Sequence, residues 1–164
     1  MLDTKYTQEI KKGYLNEDGI VKLDFVDGFP QELAKHFGNT NPVLSTSQSR
    51  SIFDKVNALN TQLLGGRTSF AEIKIELAAL KSRVKDKVEK LALPEDFYEF
   101  LNLNISAVTD EKTLKAFTLH FECVCNYLKD KKAQNNQQNN QQGFQKPNNN
   151  GYNNGNKPNN YNKK

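Results

Sequence analysis

Seven apolar residues, Phe70, Ile73, Leu77, Leu80, Val84, Val88 and Leu91, recur every three or four positions along one stretch of the chain. On a helix turning by about 100° per residue they fall within one narrow arc. A strand would scatter them over both faces. A helix of about Thr68 to Leu91 is therefore predicted, and its apolar arc must be buried against other elements. The sequence offers partners of the same kind. Thr46 to Leu64 carries the stripe Ile52, Phe53, Val56, Leu59 and Leu63 and stops at Gly65-Gly66. Phe29 to Phe37 reads as a short helix, with Pro30 at its start and Gly38 closing it. Pro94 ends the long pattern and starts a short helix from Glu95 to about Leu103, with Phe97, Phe100 and Leu101 inward. Thr109 or Asp110 caps a last helix striped by Leu114, Phe117, Phe121, Val124 and Leu128. Ala116, His120 and Tyr127 form a second flank, which places that helix centrally. Short loops make neighbours antiparallel. The expected fold is all-α, a compact bundle of about five helices over residues 29–132.

Two flanks read differently. Residues 1–28 are weakly patterned; Val21, Leu23 and Phe25 alternate, which allows a short strand or an extended N-terminal arm. Residues 133–164 are rich in Asn and Gln and repeat loosely, Phe144-Gln-Lys-Pro-Asn-Asn and then Asn156-Lys-Pro-Asn-Asn. So polar a tail cannot offset chain entropy by burial and is expected to be disordered. Its lysines and spaced aromatics would suit weak single-strand binding, but a flexible spacer is the simpler reading. The tail also decides the charge. The chain has 23 basic and 19 acidic residues, and four of the lysines lie in the acid-free tail, so the remainder is neutral. A nucleic-acid partner would have to meet a local patch on that body rather than a global field.

Enzyme chemistry is hard to assemble. His36 lies in the last turn of a short helix, where a cation suits the dipole. His120 reads as a satisfied structural histidine. There is no Gly-rich phosphate loop, no His-Glu-x-x-His and no cysteine nucleophile beside a base. Cys123 and Cys125 stand two apart, so on a helix they diverge by about 200° and cannot pair; nor does any Cys/His spacing make a zinc site. No catalytic residue, metal or cofactor is expected. Two free thiols, no apolar run of membrane length and no signal-peptide core point to a cytoplasmic chain without a membrane partner.

The cations are more telling. Lys74, Lys81 and Lys85 form one ridge of the second long helix, with Leu77 and Ala78 rather than acids on the turn between. Like charges at Lys81 and Lys85 cost an isolated helix a few tenths of a kcal/mol, as a rough guide, which fits an anionic partner. Arg83, Lys87 and Lys90 lie near Glu72, Glu76 and Asp86 and read as surface ion pairs. Arg50 sits one turn into its helix, beside the hydroxyls of Ser45, Thr46 and Ser47 and the free N–H groups of the first turn. Those are parts of a phosphate site; the plainer reading is an ion pair with Asp54.

Ser45-Thr46-Ser47-Gln48-x-Arg50 before an apolar-striped helix resembles the first core helix of the small helical subunit of type III-A CRISPR effector complexes, the Csm small subunit. Leu80-Lys81-Ser82-Arg83 is similar to that family's Leu-Lys-x-basic segment, and Phe121-Glu122-Cys123-Val124-Cys125-Asn126-Tyr127 to its Phe-Glu-x-aliphatic-x-x-Tyr segment. The resemblance spans roughly Leu44 to Lys132. Where the family often continues with Tyr and Gly-Arg, this chain has Lys85-Asp86-Lys87. The resemblance implies a non-catalytic RNA-binding subunit, several copies of which associate along a guide RNA–target RNA duplex, beside the backbone subunits and the large signalling and nuclease subunit. Contacts would be to phosphate and sugar, from Arg50, Lys74, Lys81 and Lys85, with Arg83 added by its family position. The rival reading is a helical protein–protein adaptor without RNA contact.

Overall fold

Side-chain caps set where the helices begin. The computed structural model describes residues 1–128; the tail expected over 133–164 lies outside the described residues. Helix α1 spans Thr4–Lys12, α2 Gly28–Phe37, α3 Thr46–Leu64, α4 Phe70–Glu89, α5 Glu95–Ala107 and α6 Glu111–Tyr127, with one 3-10 turn at Leu23–Phe25. Ser45, Ser69 and Asp110 each close a capping box, accepting from the backbone three residues on and receiving that residue's side chain in return. Gly66, at φ 66°, supplies the left-handed residue that turns α3 into α4.

Helix α6 is the hub: it packs on α3 and α2 and touches α5, while α4 lies against α5 and α3, and α1 against α5. All five residues of its apolar stripe are buried, as are Ala116 and His120 of the second flank. Tyr127 is not; it stays 41% exposed, and its hydroxyl donates to Asp27 Oδ1 at 3.0 Å. Between the helices lies an aromatic core. Phe121 meets Phe100 at 5.4 Å, Phe53 at 5.7 Å and Phe117 at 5.9 Å between ring centroids, at geometries that add to simple area burial.

The described residues hold six helices rather than about five, and the extra one lies in the segment expected to be a weakly structured arm. Asp3 caps α1 by accepting from the N–H groups of Lys5 and Tyr6. Tyr6 and Ile10, one turn apart, are 1% exposed, and Tyr14 is fully buried. The alternation at Val21, Leu23 and Phe25 makes no strand: Leu15 and Val21 form a single antiparallel bridge, and Phe25 enters the core from the 3-10 turn. So short a helix is marginal alone; what holds it is tertiary. Tyr14 donates to Asn104 Oδ1 at 2.6 Å, and Asn104 Nδ2 donates to the Tyr6 hydroxyl at 2.7 Å. Tyr6 lies 3.2 Å from His120 Nε2, and His120 Nδ1 lies 2.6 Å from the Phe25 carbonyl. A carbonyl only accepts, so Nδ1 carries the proton and Tyr6 donates to Nε2. Each polar atom named in that chain is satisfied, which a buried network requires.

Candidate nucleic-acid interface

The sequence offers five cations as RNA contacts, Arg50 apart from the Lys74, Lys81 and Lys85 ridge and Arg83 by family position, and the fold keeps these groups apart. Lys74, Lys81 and Lys85 lie within about 40° of one another around α4, on the flank next to α5. Lys85 shows which flank: its Nζ donates to Glu95 Oε1 at 3.0 Å and sits 4.9 Å above the Tyr98 ring. The hydrogen bond it donates to Glu95 raises the Lys85 pKa, so this cation is already partnered. Lys74 is exposed and Lys81 half-buried, and neither has an ion-pair partner among the described residues. Arg83, two residues past Lys81, points about 200° further round and leaves the ridge.

Arg50 lies on another face. Its guanidinium donates to Asn126 Oδ1 on α6 at 3.1 Å, and the ion pair with Asp54 does not form. The hydroxyls that would complete a phosphate site beside it are largely engaged in structure. Ser45 caps the helix, Thr46 Oγ1 donates to the Leu128 carbonyl at 3.2 Å, and Ser49 is fully buried and donates to the Thr46 carbonyl. Ser47 remains exposed. Of the three cations read as ion pairs, Lys90 pairs with Asp86 at 2.8 Å, whereas Arg83 and Lys87 have no such partner among the described residues. Lys87 instead lines a notch of about 300 Å³ with Ser47 and Ser51, where the end of α4 meets the start of α3. The sequence shows the cation but not the two hydroxyls that the antiparallel pairing brings to it.

The titratable groups of the interior are arranged as structure rather than chemistry. Burial holds the His120 pKa down to about 4, against the Phe25 carbonyl, which raises it. Burial raises the Cys125 thiol to about 11, with its Sγ 3.6 Å from Ser49 Oγ. His36 faces Asp96 at 2.7 Å across α2 and α5. Among the described residues, no three His, Cys, Asp or Glu side chains gather as a metal site would need, and no helix is long and apolar enough to cross a membrane.

A small all-helical bundle with cations on its flanks is thus the class that fold and surface define. The family model for Csm2 Type III-A matches residues 24–134, most of the chain. The chain belongs to that family and is a subunit of a type III-A CRISPR complex. The match begins after α1 and covers α2 to α6, further upstream than the segments that carry the resemblance. No curated protein and no solved structure gave a match.

Proposed function

We propose that the chain is a non-catalytic, RNA-binding structural subunit of the type III-A interference complex in the cytoplasm. It binds the guide RNA–target RNA duplex through phosphate and sugar, without sequence specificity, beside the backbone subunits, the large signalling and nuclease subunit and further copies of itself. The observation that carries this reading is the α4 ridge. Lys74 and Lys81 stand on one flank with no acid paired to them among the described residues, in a body whose formal charge is otherwise balanced. Charge without a counter-ion, repeated along a helix, suits a phosphate backbone. Lys85 extends the ridge when Glu95 yields it, Arg50 makes a separate contact, and Arg83 enters only through its place in the family segment. The helical bundle, α1 included, is the binding body and 133–164 a spacer.

The test is a triple variant, Arg50→Ala, Lys74→Ala and Lys81→Ala, in the assembled complex, where repeated copies add avidity. The variant folds normally and binds every RNA sequence more weakly. The slope of log affinity against log salt falls in magnitude by about 0.7 per lost contact on single strands. An unchanged slope favours the adaptor without RNA contact.

A further inference from the structure

The RNA reading leaves a groove of about 490 Å³ unused, between the 15–21 loop, α3 and α6. Leu15, Val21 and Leu119 make its apolar lining. Its two ends carry opposite charge. Lys112 and Lys115 stand at the N-terminal end of α6, and Glu122 stands seven residues past Lys115, about 10.5 Å along the helix. All three are exposed, and none has an ion-pair partner among the described residues. Asn60 also lines the groove. Ser49 lies against Cys125 and Phe53 against Phe121, so the antiparallel register of α3 and α6 sets Asn60 level with Lys115. Asn60 is only 9% exposed, and its Oδ1 is buried without a hydrogen-bond partner among the described residues.

We infer that this groove binds a free guanine ribonucleotide. Each part of that ligand answers a different group of the groove. Lys112 and Lys115, one turn apart, take the phosphate. The Asn60 Oδ1 only accepts, so an anion alone leaves it unpaired. A ribose carries hydroxyl donors beside its phosphate and supplies the missing one. A turn about χ2, a soft torsion in Asn, brings Oδ1 to meet it. The base lies between Leu119 and the 15–21 loop, where an apolar lining suits both faces of a planar ring. Glu122 then selects the base. A carboxylate offers two acceptors and no donor. Guanine sets two donors side by side, N1–H and the N2 amino group, and pairs with both oxygens. Adenine and cytosine set one amino group beside a ring nitrogen that only accepts, and uracil sets its N–H between two carbonyls. Each of those puts a lone pair against the carboxylate, which disfavours it. The groove shares no residue with Arg50 or the α4 ridge, so the inference stands apart from the RNA contacts.

Isothermal titration calorimetry of the full chain, free of RNA, tests it with guanosine monophosphate, adenosine monophosphate, guanosine and inorganic phosphate. Guanosine monophosphate binds, and each of the other three binds about tenfold more weakly or worse. Lys115→Ala weakens guanosine monophosphate by about tenfold. Glu122→Ala brings the two monophosphates to equal affinity, because nothing then distinguishes their edges. Both positions are exposed, so the decision does not depend on a core substitution. Asn60→Leu, close in size and without the acceptor, also weakens guanosine monophosphate while the helical circular dichroism stays that of the parent. Equal binding of the two monophosphates by the parent chain overturns the inference, as does inorganic phosphate binding as tightly as the nucleotide. Variants at Lys115 and Glu122 that bind like the parent overturn it as well. A groove that holds an RNA strand through Lys115 but takes no free nucleotide belongs to the RNA interface and overturns it too.

Discussion

At the scale of single residues, the interior offers one titration with a definite sign. His120 is held neutral, with its pKa near 4, while the unfolded chain protonates near the ordinary histidine value of about 6.5. Between those values the unfolded state binds more protons, so stability is full above about pH 6.5 and falls as the pH drops toward 4. The loss amounts to about 3 kcal/mol at most. Denaturant unfolding of the chain and of His120→Gln, compared at several pH values, checks this: the extra acid slope of the parent disappears in the variant. Equal slopes would exclude His120 as its source. Phe121 is a simpler case. It is fully buried among other rings, and Phe121→Ala costs about 3–5 kcal/mol, read from the shift of the urea midpoint. If the variant melted like its parent, the central place of α6 would be wrong. The cations show what single residues reveal in sequence. Spacing correctly sets Lys74, Lys81 and Lys85 on one ridge, because helical geometry is local. It does not reveal that Glu95 takes Lys85 or that Asn126, on another helix, takes Arg50, because those neighbours are fixed by packing.

At the scale of elements, strong punctuation was legible and a stripe only two apolar residues long was not. Helix α3 begins and ends where Ser45 and Gly65 place it, and α2, α4 and α6 follow their caps and stripes closely. Helix α5 runs a turn beyond its expected end at Leu103. Asn104 looks like a polar stop, yet it is fully buried and bonded to Tyr6 and Tyr14. Helix α1 buries Tyr6 and Ile10 only, too few for a periodic signal, and its stability comes from residues about a hundred positions away. Among the described residues, the α4–α5 turn carries the one non-glycine residue at positive φ. Leu91 adopts φ 55° while 77% exposed, so its side chain gains little from packing and its backbone sits where a Cβ is unfavourable. Leu91→Gly removes about 1 kcal/mol of that strain and raises stability. A thermal melt showing a loss instead would mean that the turn needs the side chain.

For the whole molecule, the core of the described residues extends as far as Leu128, which is 4% exposed. A chain ending at Lys132 therefore keeps its helical circular dichroism and its melting transition, because the residues removed contain no apolar stripe to bury. A drop of several degrees would show that 133–164 pack on the bundle. The same core has a consequence in time. The hydrogen bonds that seat the N-terminal segment join positions 90 to 114 residues apart, from Tyr14 to Asn104 and from Tyr6 to His120. Contacts of such separation need both partners synthesised and carry the loop-closure cost of the chain between them. On a ribosome, α1 must therefore wait for α6. Until α6 is released, Tyr6, Ile10 and Tyr14 have no finished core to enter, and a nascent chain paused before that point exposes them to proteases and chaperones.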